Sequence, residues 1–163
     1  MSDSTLIIPS AAVAAIASET GALGRLRVET GGFLLTPVGD PTITVVAFTG
    51  TTGIIRHRKM LQISARALGR LFDYADGHDL HAPAQFHSHE TTAFLSRTDA
   101  THGLRVDGFT SVVIPRFASP PGDPAAWGWW TFRDTAWETI TPARPSTGNA
   151  HLIRFDEDGI HAY

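Results

Sequence analysis

The chain has 163 residues, of which 42% are hydrophobic and 18% charged, with a formal net charge of −3 and no cysteine. That balance excludes a disordered chain and gives no electrostatic reason to expect nucleic acid as a partner. The missing cysteines exclude disulfides, thiolate metal sites and a cysteine nucleophile, so any catalytic metal must be held by His, Asp or Glu. The length suits one domain, residues 1–163, able to bury a core without covalent staples. Met1 to Thr5 is polar without a basic stretch, and the apolar run from Ala11 to Ala17 is short and follows Pro9. Neither a signal peptide nor a membrane span is expected, and a cytoplasmic protein is the natural reading.

In chain order, Thr5 to Ile8 reads as a short edge strand ended by Pro9. Ser10 then suits the N-cap of an alanine-rich helix from Ala11 to Thr20, closed by Gly21. Arg27 to Leu35 reads as an apolar strand with Glu29 at its front and a Gly31-Gly32 pair inside it. Such a pair marks a bulge or the close approach of another backbone or a ligand. A turn over residues 36–41 leads into Thr42 to Phe48, the clearest strand of the chain. Gly50 to Gly53 is a loop, and Ile54 to Ile63 carries no decisive pattern. Ser64 to Tyr74 is a helix with Ala67, Leu68, Leu71 and Phe72 on one face, stopped by Gly77.

A strand carrying His87 and His89 follows, then a threonine-rich loop and a short helix beginning near Ser96. Phe109 to Pro115, Trp127 to Phe132, Trp137 to Ile140 and Leu152 to Phe155 read as further strands, the last turning at residues 156–159 into a terminal hairpin. The mixture predicts an α/β (α+β) sandwich, a mostly antiparallel sheet flanked by two or three helices. The tryptophans at 127, 129, 130 and 137 suit a core, with an exposed aromatic patch as the alternative.

Chemistry concentrates at His87-Ser88-His89 and the segment after it. Side chains at i and i+2 of a strand share a face, so both imidazoles can grip one ion. Asp99 can add a carboxylate oxygen, and two imidazoles with one carboxylate form a common catalytic zinc set. Plainer readings stand beside this one. Ser96 to Asp99 is also a capping box, Glu29 is also an ordinary solvated acid, and His57, His78, His81, His151 and His161 read as surface residues. His102, three residues beyond Asp99, is a candidate partner of the ligands.

Glu29-Thr30-Gly31-Gly32-Phe33-Leu34-Leu35, then His87-Ser88-His89, then Ser96 and Asp99, together resemble the JAMM/MPN-plus metallopeptidases of the prokaryotic JAB type. The resemblance spans Arg27 to Val113. It departs from the family pattern between His89 and Ser96, where Glu90 to Leu95 is one residue shorter and Glu90 replaces a proline. The resemblance implies an MPN/cytidine-deaminase-like sandwich. It further implies one Zn2+ held by His87, His89 and Asp99, with Glu29 as general base and Ser96 as oxyanion donor. The implied activity is deubiquitinase-like: hydrolysis after the C-terminal tail of a ubiquitin or ubiquitin-like protein, by deconjugation or precursor processing. Small bacterial members serve ubiquitin-like ligation operons, including antiphage ones, or trim sulfur carriers. Adjacent activating or conjugating enzymes are therefore expected partners, and nucleic acid and membrane are not. A catalytically silent MPN-type scaffold, or a zinc hydrolase acting on a small amide, are the competing readings.

Overall fold

The computed structural model describes residues 5–96, 99 and 104–163. Strand β1 (Ile7–Pro9) leads directly into helix α1 (Ser10–Gly24), with Pro9 rather than Ser10 at the N-cap and no side-chain cap. The helix runs past the expected stop at Gly21. It ends at Gly24, where a Cβ would lie 2.0 Å from the Phe117 carbonyl oxygen, so only the bare backbone fits. A turn follows with Arg27 at φ 62°, and the next strand, β2 (Gly31–Pro37), therefore begins later than the sequence suggests.

Strand β3 (Val45–Thr49) is shorter than expected at its start, where Thr42 makes only an isolated bridge to Ile7. The ambiguous stretch resolves into a separate two-stranded hairpin, β4 (Ile54–His57) and β5 (Met60–Ile63). Helix α2 (Ala65–Gly77) is capped by Ser64, whose Oγ accepts the Ala67 N–H. Then come β6 (Leu80–Ser88), β7 (Thr110–Ile114), β8 (Gly128–Arg133) and β9 (Ala136–Thr139). A three-residue strand that the sequence did not suggest, β10 (Arg144–Ser146), pairs in parallel with β1. Strands β11 (His151–Asp156) and β12 (Gly159–Ala162) close the chain as the expected hairpin.

Eight strands form one sheet in the order β12-β11-β3-β2-β6-β7-β8-β9. Its neighbours are antiparallel except for the β11/β3 and β6/β7 pairs. Alternation along the strands divides the core into two layers. Leu34, Val46, Phe48 and Phe86 point towards Ala12, Val13 and Ile16 of α1. Phe33, Leu35, Val45 and Ala47 point the other way, towards Ala67 and Leu71 of α2. The sheet is thus sandwiched between the two helices, which is the expected class.

Trp127 and Trp129 belong to the α1 layer at 4% and 2% exposure, their indoles stacked and their N–H groups donating to the Pro121 and Pro124 carbonyls. They form no exposed aromatic patch. Trp137 packs edge-on against Phe132. Among the described residues, no helix is long and apolar enough to cross a membrane.

Candidate metal centre

Strand β6 lies between β2 and β7, pairing Gly31 with His87 on one side and His87 with Val113 on the other. Phe86 and Ser88 face α1, so His87 faces the α2 side. His89 lies one residue past the strand but keeps the ladder going, its N–H donating to the Ile114 carbonyl. His87 is therefore paired on both flanks, and His89 is fixed by two main-chain bonds on the β7 side, to Ile114 and from Phe117. Gly31 makes this possible: a Cβ there would lie 2.3 Å from the Phe86 carbonyl oxygen and 2.8 Å from Leu61 Cδ2 of β5. The glycine pair marks close backbone approach, as the sequence suggested.

Ser88, between the histidines, was not singled out from the sequence, yet it sets the position of Glu29. Its Oγ accepts the Thr30 N–H at 2.9 Å, and its own N–H donates to the Thr30 carbonyl at 2.9 Å. A third bond, from the Glu29 N–H to the His57 carbonyl at 2.8 Å, ties the same segment to the β4–β5 hairpin. Glu29 is consequently buried, at 3% exposure, and is not a solvated strand-start acid. The only available signal was alternation, which puts the middle residue of a His-x-His on the face opposite the imidazoles.

Ligand atoms of Glu29, His87 and His89 lie within 4.8 Å of one another, a buried group able to hold a metal ion. Asp99 joins them: its Oδ2 is 3.1 Å from His87 Nε2 and 3.1 Å from His89 Nε2, and the two Nε2 atoms are 3.2 Å apart. Protons alone satisfy this triangle badly. If both Nε2 atoms carry hydrogen towards Asp99, the His87–His89 edge sets two N–H groups against each other; if one does, the other nitrogen's lone pair faces the carboxylate oxygen; if neither does, three lone pairs face inward. A cation resolves all three cases. A tetrahedral ion bonded at about 2.0–2.1 Å holds its ligand atoms about 3.3 Å apart, close to the spacing seen. Glu29 stands further off, its Oε1 3.7 Å from His89 Nε2, and its Oε2 is buried with no hydrogen-bond partner among the described residues.

Burial pushes the Glu29 carboxyl up to about 7; His89 opposes this and Asp99 reinforces it. At His89, burial alone would lower the imidazolium, but Asp99, Glu29 and the Thr92 carbonyl outweigh it and leave it raised. At Asp99, burial would raise the carboxyl, yet the hydrogen bonds of His87, His89 and Ser96 hold it well below the usual carboxylate range. The cluster thus contains one committed anion and one acid poised near neutrality.

Ser96 and Asp99 exchange two bonds: the Ser96 N–H donates to Asp99 Oδ2, and the Asp99 N–H donates to Ser96 Oγ, each at 3.0 Å. The capping box and the convergence on the histidines therefore hold together, the cap fixing the carboxylate that faces the imidazoles. Ser96 Oγ accepts in this bond, and its own hydroxyl hydrogen has no acceptor among the described residues. Ser96, Glu29 and His89 line one cleft of about 410 Å³, with Phe94 edge-on to the His89 ring. His102 and the rest of the expected short helix lie outside the described residues. His57, His78, His81, His151 and His161 are exposed, as expected.

No protein-family model and no curated sequence matches the chain. Its similarities are to solved structures. A protein from Desulfitobacterium hafniense superposes with a TM-score of 0.68 at 12% identity, covering 88% of this chain and 94% of that one. One from Salinibacter ruber gives 0.58 at 21% identity, covering 90% and 97%. A JAB1/MPN domain protein from Archaeoglobus fulgidus gives 0.56 at 12% identity, covering 88% and 99%. Sequence identities this low speak to architecture alone, and the architecture of this chain is that of the JAB1/MPN domain.

Proposed function

We propose that the chain is a zinc-dependent peptidase or isopeptidase of the JAMM type, acting after the C-terminal tail of a ubiquitin-like protein. One observation carries the reading: His87 Nε2, His89 Nε2 and Asp99 Oδ2 converge at 3.1–3.2 Å, with the buried Glu29 carboxyl beside them, its Oε2 without a hydrogen-bond partner among the described residues. The MPN architecture supports it. His87, His89 and Asp99 would hold the ion. Bound there, zinc supplies Lewis acidity and a water whose pKa is lowered towards about 7.

The chain's own groups then handle protons and charge. Glu29 accepts a proton from the attacking water and later delivers it to the leaving amine, so one amide bond and one water become a carboxylate and an amine. The Ser96 hydroxyl, its hydrogen unused in the cap, donates to the substrate carbonyl oxygen as negative charge develops there. Phe94, half exposed beside His89, screens one side of the reacting bond from water. The partner in this reading is a cytoplasmic ubiquitin-like protein or its conjugate, with activating and conjugating enzymes as neighbours, as in antiphage ligation systems.

The deciding experiment is metal analysis joined to an assay. About one zinc per chain is expected, lost in His89→Ala and retained in Glu29→Gln, with turnover of a ubiquitin-like fusion seen only in the wild type. A protein that takes up no zinc when it is added would return the scaffold reading to first place.

A further inference from the structure

The proposed chemistry uses the floor of the cleft and leaves its outer wall unassigned. That wall is the turn of the β4–β5 hairpin, Arg58 and Lys59, which line the cleft together with Glu29, His89 and Ser96. Opposite them is Glu90, the residue standing in place of the family's proline. It takes Arg58 in a two-pronged grip, Arg58 Nε donating to Oε2 at 2.5 Å and Nη2 to Oε1 at 2.9 Å. The Arg58 bonds, and the charges of Arg58, Lys59 and Arg27, hold the Glu90 carboxylate below its usual range.

Two cations, Arg58 and Lys59, therefore line the cleft beside Glu90, with the buried Glu29 as the other acid of its lining, in a chain whose net charge is −3. The grip engages Nε and Nη2 of Arg58 and leaves Nη1 unused. Lys59 makes no hydrogen bond or ion pair with any described residue. A cation with no acid of its own at a concave entrance attracts anions there. An Arg fork held by a carboxylate is also pre-organised, so it gives up less freedom when it takes a second oxygen acceptor.

We propose that Arg58 and Lys59, with Arg58 aimed by Glu90, form a binding site for a substrate carboxylate, an Asp or Glu side chain within a few residues of the cleaved bond. This rests on the peptidase reading and names the chemistry of its substrate. Acidic flanks are drawn into the cleft and basic flanks are repelled from it. Glu90 acts as a positioning residue.

The test uses the full-length, zinc-supplied Glu29→Gln protein and two fluorescein-labelled peptides. Both carry Gly-Gly at the centre, flanked by two Glu in one and two Gln in the other, and binding is read by fluorescence anisotropy. The Glu peptide should bind about three- to tenfold tighter at low salt, with the gap closing as ionic strength rises. Arg58→Gln combined with Lys59→Gln should abolish the preference. Arg66→Gln with Arg144→Gln, which removes the same charge from α2 and β10, should leave it intact. Equal binding, binding of neither peptide, or a preference that survives loss of Arg58 and Lys59 would overturn the proposal. A preference seen alongside a wild type that cleaves no Gly-Gly fusion would instead remove the peptidase reading and leave the carboxylate site standing.

Discussion

Glu19 and Glu29 are both buried acids, at 7% and 3% exposure, and they are held in opposite ways. Glu19 gives both oxygens to Arg154, at 2.5 and 3.0 Å, and the Arg154 guanidinium also covers the Tyr163 ring at 4.7 Å. The fold brings every donor that Glu19 requires. Glu29 is served differently: among the described residues Oε2 has no hydrogen-bond partner, and Oε1 reaches only towards an imidazole 3.7 Å away. Buried polar groups are nearly always paired, so an unpaired carboxyl oxygen beside converging imidazoles is a mark of a candidate functional site. One acid is held by the fold's own donors. The other is left available for the proton transfer proposed above.

The same substitution at both positions should therefore give opposite results. Glu29→Gln should lower turnover by at least about 10²-fold, in a steady-state assay of the zinc-supplied protein, with metal content unchanged. In chelated protein it should be stabilising. The Glu29 carboxyl is raised from 4.5 to about 7 in the folded state, so it is protonated there while the unfolded chain is already ionised. The chelated wild type should lose stability as pH climbs from about 4.5 through about 7, and Glu29→Gln should remove that slope. At pH 8 the variant should be more stable by about 1–3 kcal/mol in urea melts. A variant less stable than wild type at pH 8 would show that Glu29, like Glu19, is held by the fold.

Ser96→Ala tests whether the unused hydroxyl hydrogen serves the reaction. A loss of about 10²-fold in kcat is expected. Loss of the cap should also lower the urea midpoint, by about 0.5–2 kcal/mol in stability. Loss of the cap without any loss of kcat would confine Ser96 to structure. Glu19→Gln should destabilise by about 1–3 kcal/mol, because it strands the Arg154 charge, and should leave metal content and turnover untouched.

The smallest effect is expected at Asp156, another fully served acid. Burial would raise its carboxyl, but the Thr51 N–H, His161 and the Asp158 N–H bring it down to about 2. A carboxyl lowered in this way adds stability above its unfolded value of 3.8, and that stability is lost as pH falls from there towards 2. Asp156→Asn should flatten that part of the acid limb by about 1 kcal/mol, read from melts at pH 2 to 5.

The ligand face was legible because it is local. His87 and His89 alternate on one strand, and Ser96 and Asp99 close one turn. Glu29 was legible only through the glycine pair and the family pattern, since a lone acid at a strand start looks the same whether solvated or buried. What could not be read depends on distant partners. The β4–β5 hairpin is polar at Arg56, His57, Arg58 and Lys59, and its place beside Gly31 becomes visible only once Leu61 is seen against that glycine. The Ser88–Thr30 clasp joins residues 58 apart. Strand β10 contains Pro145 and exists only because β1 lies beside it. Helix α1 outran its glycine signal at Gly21 because Gly24 has the tighter packing contact.

The donor set facing the cleft is nitrogen and oxygen throughout, in a chain without a single thiol. Thiolate centres release their metal when peroxide carries sulfur to sulfenic acid or a disulfide closes between ligands. Imidazole and carboxylate offer no such route. An ion held here would answer to pH and chelators rather than to redox potential, so an oxidative burst that disarms cysteine-dependent hydrolases would spare its ligands.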